Sequence, residues 1–519
     1  MQNGAIIIRQ NGTKTSTALS KESQLVRYQE EWGLIEGVFE LIRSKLSQQA
    51  LASTDKINRY LPPDALQKRL DLKLHRTSNE DWTSILTKCH EIVDHSIKTG
   101  HRFFLQQFYH GVDPYGFAAT LLIEALNTSI YTFDVGPVTT LIEMEVIRNL
   151  VELCGWADGD GIFCPGGSTA NFYGMNVARY HADENVKTRG LTGSFGGKRP
   201  IIYASEQCHY SAQKGAAFMG FGTDSVVSIK SDNDGRMLVE DLQRAIDETK
   251  KSADQVPMMV LCTGGTTILN AYDPIEAVAD VCRQHSIWMH VDICLGGAAL
   301  LSTNHRHLVK GIERADSSSW CWHKVLNAPF QTCVFLCQHK GLLKNCHSQS
   351  ASYLFATDKH YDTSYDTGDA SLQCGRKADA LKVWMMWKAR GREGISSLVD
   401  KAFEITDYAT EQMKRQPDTF KLVIGKAQGT SVCFWMIPKS LRNREQSMPR
   451  EEYETKLNAL QQTIKGELVT QGLGMIACQP LPCHGLPNFF RMTFGCHPLS
   501  SREDIDDILH ILKTLAEHV

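Results

Sequence analysis

No stretch of the 519 residues approaches the roughly 18 uninterrupted apolar residues that a membrane-spanning helix needs, so none is expected. The start of the chain lacks the pattern of a secretory signal: Ala5-Ile6-Ile7-Ile8 runs straight into Arg9-Gln10-Asn11, with no small-residue cleavage site. An excess of one charge is missing too. Lys and Arg number 55 against 58 Asp and Glu, a net charge of −3, and the basic residues are dispersed rather than striped. Nucleic acid and anionic membrane are therefore poor candidates for partners. Sixteen cysteines are present, yet no two have the Cys-x-x-Cys spacing of a zinc or redox motif. Reduced thiols scattered through a large core are expected, in a soluble cytoplasmic protein with no structural metal.

What is there reads as a large α/β protein. Residues 1–24 are polar and predict a mobile tail. From 25 to 125 the pattern is helical, with Ile35, Val38, Phe39, Leu41 and Ile42 recurring at three and four. Between 126 and 382 helical windows alternate with short apolar runs, such as Ile201-Ile202-Tyr203-Ala204, Met258-Met259-Val260-Leu261 and Ile287-Trp288-Met289-His290-Val291. Such runs are buried strands, and their alternation with helices predicts a mainly parallel sheet. Residues 383–519, with Ser431-Val432-Cys433-Phe434-Trp435 and a terminal helix from Asp504 to Leu515, predict a smaller C-terminal α/β domain.

Four pieces of the larger domain carry chemistry. Cys164-Pro165-Gly166-Gly167-Ser168-Thr169-Ala170-Asn171 precedes a helix, where glycine lets backbone amides approach a phosphate and Ser168 and Thr169 add hydroxyl donors. Ser205-Glu206-Gln207-Cys208-His209 follows a strand, which puts His209 at the sheet edge where ligands of open α/β folds bind and lets it stack on a flat ring. Thr263-Gly264-Gly265-Thr266-Thr267 follows another strand and offers the Thr263 hydroxyl. His290-Val291-Asp292 ends a third strand, and Lys324 follows in Ser319-Trp320-Cys321-Trp322-His323-Lys324. A lysine amine forms a Schiff base with an aldehyde, and an aspartate behind a pyridine ring keeps its nitrogen protonated, so the ring accepts electrons. Each piece alone has an ordinary structural explanation, as a turn, a cap or a solvated loop. Their order points to pyridoxal 5'-phosphate.

Together these residues resemble the group II pyridoxal-phosphate decarboxylases, in the branch acting on glutamate, cysteine sulfinate and aspartate. The likeness runs from about Tyr60 to the C-terminus and includes Asp273-Pro274, Gly311-Ile312-Glu313-Arg314-Ala315-Asp316, Tyr361-Asp362-Thr363-Ser364-Tyr365-Asp366-Thr367-Gly368-Asp369, Gln373-Cys374-Gly375-Arg376 and Asn488-Phe489-Phe490-Arg491. The resemblance implies a fold-type I enzyme with a seven-stranded sheet. It implies that Lys324 carries the cofactor, Asp292 meets the pyridine nitrogen, His209 covers the ring, and Gly167, Ser168 and Thr169 hold the phosphate, with Thr263, Cys294 and His323 also against it. Arg491 would grip the substrate α-carboxylate, and Tyr361, on a mobile loop reaching the partner of a homodimer, would be the general acid. Gln107 and Tyr109 would approach the distal acid, and the aromatic at Tyr109 favours cysteine sulfinate, cysteate or aspartate over glutamate.

The chain departs from the family pattern beside the site. Asp-Ala-Ala-Trp-Gly-Gly is here Asp292-Ile293-Cys294-Leu295-Gly296-Gly297, Asn-Pro-His-Lys is Cys321-Trp322-His323-Lys324, and Asn-Gln is Gln106-Gln107. These changes predict altered substrate fit with cofactor binding retained. They also keep open an enzyme of the same fold that takes aromatic amino acids or couples decarboxylation to oxidative deamination, and a scaffold that binds partners without catalysis.

Overall fold

The computed structural model describes residues 21–51, 56–77, 80–356 and 358–519. Most of the tail expected over 1–24 lies outside the described residues, and Lys21 opens a long helix instead. Two compact units divide the chain: Asn58–Ile97 with the residues before 52, and Lys98–Val519 with the short stretch before Asn58. The helical segment expected over 25–125 is thus divided between them.

In the smaller unit the helix Lys21–Leu51 packs on the helix Trp82–His95. Two glycines allow the close approach: a Cβ on Gly33 would lie 3.3 Å from the Trp82 ring, and one on Gly37 would lie 2.5 Å from Leu86. Lys45 Nζ reaches Asp94 Oδ1 at 2.7 Å. Along the long helix Leu25, Tyr28, Trp32, Ile35 and Phe39, spaced by three and four, remain exposed. They line one face of the helix.

The larger unit holds two sheets. Its strands in chain order are β1 (Phe104–Leu105), β2 (Asp160–Cys164), β3 (Arg199–Ser205), β4 (Val226–Ile229), β5 (Gln255–Thr263), β6 (Trp288–Asp292), β7 (Ser317–Cys321), β8 (Cys333–Cys337), β9 (Phe420–Leu422), β10 (Ser431–Met436), β11 (Met475–Leu481) and β12 (Leu486–Thr493). Seven of them form a sheet of order β2-β8-β7-β6-β5-β3-β4. Only β8 runs against its neighbours. Every residue of β6, β7 and β8 is buried, because helices cover both faces. Gly167–Ala182 and Ser211–Phe218 pack on one face; Pro137–Leu153, Ile275–His285 and the start of Ala380–Lys414 pack on the other.

The second sheet has the order β1-β11-β12-β10-β9 and is covered by Arg450–Thr470 and Arg502–His518. The latter helix begins at a capping box, with Ser501 and Asp504 satisfying each other's backbone N–H. Strand β1 pairs in parallel with Met475 and Ile476. Two residues are too few to show periodicity, so this link between the start of the larger unit and its C-terminal sheet has no local signal.

Candidate active site

The register of the large sheet puts the chemistry-bearing residues side by side. Thr263 at the end of β5 pairs with Asp292 at the end of β6, and Asp292 pairs with Ser319 in β7, ahead of Lys324. His209 lies in the loop after β3. These are the carboxyl ends of neighbouring parallel strands, where an open α/β sheet leaves a crevice for ligands.

Asp292 is 5% exposed and fully bonded: Asn171 Nδ2 donates to Oδ2 at 2.8 Å and the Cys294 N–H donates to Oδ1 at 2.9 Å. Burial opposes its charge, but Lys324 and these hydrogen bonds outweigh it and hold the carboxyl below its ordinary value. The same Asn171 amide reaches Ser211 Oγ at 2.9 Å, and that hydroxyl lies 2.9 Å from His209 Nδ1. Behind Asn171, His290 Nε2 sits 3.1 Å from its Oδ1, with His290 Nδ1 2.8 Å from Ser317 Oγ. Burial drops the His290 pKa to about 4, so the ring is neutral. Asn171 Oδ1 can only accept, so His290 Nε2 carries the proton and Ser317 donates to Nδ1. One buried network therefore orients both Asp292 and His209. Asn171 stands in the glycine-rich motif, and its place on the helix four residues after Gly167 is the signal that could have singled it out; His290 and Ser211 have no such signal.

Lys324 Nζ makes no hydrogen bond or ion pair among the described residues, although the residue is largely enclosed. Burial disfavours its charge, but Cys321, Cys294 and Asp292 around it keep its pKa above the ordinary lysine value. His323 Nδ1 donates to the Thr332 carbonyl at 2.8 Å, and burial lowers its pKa to about 4. His209 is likewise shifted down by burial, against the pull of Asp292. The Thr263 hydroxyl is buried without a partner. Gly166 caps the helix Gly167–Ala182 with no side chain, which leaves the first-turn amides open, while the Thr169 hydroxyl turns back to the Pro165 carbonyl at 3.3 Å. Gly167 is needed for packing as well: a Cβ there would lie 2.6 Å from Cys294 Sγ and 3.0 Å from Cys321 Sγ.

Arg491 projects from β12 and is 7% exposed. Its Nη1 donates to the Thr267 carbonyl and its Nη2 to the Gln106 carbonyl at 3.3 Å, and its Nε has no partner. No carboxylate among the described residues pairs with it, and burial lowers its pKa. Its guanidinium lies 4.3 Å from the centroid of the Phe108 ring, on which Lys324 Nζ also sits at 5.7 Å. Phe108 thus joins two cations that lie far apart in the sequence. Beside it, Tyr109 packs on Phe330 at 5.2 Å and Phe330 on His323 at 4.6 Å. The Gln107 carbonyl accepts from Thr493 Oγ1 at 3.0 Å, and no hydrogen bond holds its side-chain amide among the described residues.

The departures from the family pattern have two destinations. Cys294 and Cys321 lie beneath Gly167, whereas Leu295 and Trp322 enter the core, where Trp322 stacks on Trp387 at 5.9 Å. Tyr361 is not brought to Lys324 within the chain. Its hydroxyl donates to Asp366 Oδ1 and accepts from Lys359 Nζ, both at 3.0 Å, and its ring lies against Phe133.

A largely enclosed lysine with no hydrogen-bond partner among the described residues, beside an ionised aspartate and an imidazole whose pKa burial lowers, at the strand ends of a mainly parallel sheet, defines an α/β enzyme with a lysine-anchored cofactor. Comparison with known proteins makes this specific. Residues 63–437 match the family described as the pyridoxal-dependent decarboxylase conserved domain, and the chain belongs to that family. It is 43% identical over 486 residues to human cysteine sulfinic acid decarboxylase, covering 93% of this chain and 96% of that one. It is 41% identical over 484 residues to human acidic amino acid decarboxylase GADL1, covering 93% and 90%. A crystal structure of mouse CSAD superposes with a TM-score of 0.89 at 40% identity, covering 94% of this chain and 98% of that one. The chain is a pyridoxal-phosphate-dependent amino-acid decarboxylase, and the site fits the cofactor. The free amine of Lys324, the ionised Asp292, the unpartnered Thr263 hydroxyl and the uncapped amides at Gly167 match its aldehyde, pyridine nitrogen, ring oxygen and phosphate.

Proposed function

We propose that this enzyme removes the α-carboxylate of a small acidic amino acid, with cysteine sulfinate, cysteate or aspartate preferred over glutamate, to give hypotaurine, taurine or β-alanine. The observation that carries the reading is Arg491, a buried guanidinium with no counter-ion among the described residues. A cation taken out of water without an anion is costly unless a ligand brings one. The relatives named for cysteine sulfinic acid and for acidic amino acids support an acidic side chain. The short aromatic wall of Tyr109 and Phe330, with the free amide of Gln107 beside it, supports a short one.

Pyridoxal phosphate, when bound, supplies the electron sink for the pair left at Cα as carbon dioxide departs. Lys324 would anchor it, Asp292 would keep its nitrogen protonated, His209 would cover the ring, Gly167, Ser168 and Thr169 would hold its phosphate, and Thr263, Cys294 and His323 would complete the surround. Arg491 would bind and orient the leaving α-carboxylate. Tyr361 delivers a proton to Cα in the partner subunit of a homodimer. Within its own chain the Tyr361 hydroxyl is held by Lys359 and Asp366, and the exposed apolar stripe from Leu25 to Phe39 is a surface that a second copy would cover. A cytoplasmic setting accords with sixteen cysteines that are all free.

Mass spectrometry of products from cysteine sulfinate, cysteate, aspartate and glutamate tests the reaction. The expected result is the amine lacking one carbon dioxide, fastest with the shorter acids; aldehyde or ketone products, or turnover confined to aromatic amino acids, would overturn it. Mixing Lys324→Ala chains with Tyr361→Phe chains tests the shared site. Activity returns in the mixture if Tyr361 serves its partner, and stays absent if each site is self-contained.

A further inference from the structure

Away from the cofactor crevice, the turn Pro482–His484 joins β11 to β12 and is closed by Gly485 at φ +64°. It brings Cys483 and His484 against Glu206, which lies just past the end of β3. We propose that Glu206, Cys483 and His484 form a binding site for one divalent cation of the zinc class. A carboxylate oxygen of Glu206, Cys483 Sγ and a ring nitrogen of His484 all lie within 4.8 Å of one another, and His484 Nε2 is 3.6 Å from Glu206 Oε1. Ligand atoms around a tetrahedral zinc, with bonds of about 2.0–2.3 Å, are separated by about 3.3–3.8 Å, so small side-chain rotations close the site. One sulfur, one imidazole nitrogen and one carboxylate oxygen suit zinc and disfavour magnesium and calcium, which take oxygen ligands.

The surroundings hold these donors in place. The Ser231 N–H and hydroxyl both donate to Glu206 Oε1, at 2.9 and 2.6 Å. Gln207 Nε2 lies 3.1 Å from Cys483 Sγ and 3.4 Å from His484 Nε2. Ser231 Oγ also lies 2.8 Å from His484 Nε2, so the ion takes the place of this contact on the imidazole nitrogen. Three protein ligands leave a fourth position to water, and the exposed Cys483 gives the ion a route in. Binding replaces the thiol S–H bond with a sulfur–metal bond and releases one proton to solvent. The ion would tie the turn of the C-terminal sheet to the loop that carries His209. The buried trio Cys294, Cys321 and Cys333 is the other group of clustered donors among the described residues, and it has no such route.

Isothermal titration of the holoenzyme with Zn²⁺ tests the proposal, together with Cys483→Ser, His484→Ala and the double variant. All three change only residues of this turn, of which Cys483 is exposed and His484 half-buried, and an unaltered cofactor absorbance confirms their fold. The native enzyme binds one ion per chain, and each single change weakens binding by about a hundredfold or more. Titration with Cd²⁺ gives a thiolate-to-cadmium charge-transfer band that Cys483→Ser abolishes. Absence of stoichiometric binding to the native enzyme overturns the site. So does binding that persists in the double variant, which would put the ion elsewhere, for example at Cys294, Cys321 and Cys333.

Discussion

Arg376 and Arg491 are both buried guanidiniums in the larger unit, 4% and 7% exposed, and they are satisfied in opposite ways. Arg376 grips Glu143 through two parallel bonds of 2.6 and 2.9 Å, and adds the Ile130 carbonyl and the Thr367 hydroxyl. Burial opposes its charge, but Glu143 more than offsets this and lifts its pKa. Arg491 meets two carbonyls and an aromatic face, finds no carboxylate, and has its pKa lowered by burial. The first cation has its counter-ion within the chain and serves the fold, although its Nε, like that of Arg491, has no partner among the described residues. The second is complete only with an anion from outside, and that marks the binding end of the site.

The largest effect that separates the two is on catalysis. Arg491→Met should lower kcat/KM by about a thousandfold, the scale of a lost charge-assisted carboxylate contact, while the thermal midpoint holds or rises because an unpaired charge has left the interior. A matching fall in stability would make Arg491 a second Arg376. Arg376→Met should do the reverse. It leaves Glu143 charged and alone in the core, at a cost of about 3–5 kcal/mol in stability read by denaturant unfolding, with kcat/KM of the folded fraction nearly unchanged.

Acid sharpens the contrast from the cofactor side. His110, His290, His323 and His347 are each lowered by burial to about 4. Between about pH 6.5 and 4 the unfolded chain binds protons that the folded chain refuses, so stability falls as pH falls and levels off below 4. Each imidazole contributes up to about 3 kcal/mol to that loss. A His290→Asn variant should lose stability less steeply over this range, as measured by thermal midpoints at stepped pH; an equal slope would mean that His290 is charged in the fold. The smallest expected effect is that of Asn171→Ala, which unties Asp292 from His209 without removing either. It should cost about 1–3 kcal/mol in cofactor affinity, visible as faster loss of the bound chromophore on dilution.

Local pattern was enough for much of this molecule. The strand ends at Ser205, Thr263 and Asp292, and the loop to Lys324, follow from apolar runs stopped by glycine, serine and aspartate, and the sheet register then brings the residues together. What stayed hidden depends on contacts through space. Phe108 has no signal of its own in the sequence, and only the fold places Arg491 and Lys324 on its ring. Nothing local in the sequence marks His290 as the ring that sets the orientation of Asn171. Trp322 and Leu295 stood out as changes beside the site, yet their side chains belong to the core. Cys483 and His484, adjacent in sequence, lack the spacing that flags a metal motif and need Glu206 from the other sheet to become one.

The claim that Arg491 waits for the α-carboxylate is tested most directly with a substrate and product pair that differ only by that group. Comparing the native enzyme with Arg491→Met, kcat/KM for cysteine sulfinate should fall by about a thousandfold, while the inhibition constant of hypotaurine, which has no α-carboxylate, should change by less than about threefold. Equal losses for both would contradict the account, because Arg491 would then be reading the distal acid or holding the pocket, and the missing counter-ion would not be the carboxylate that leaves.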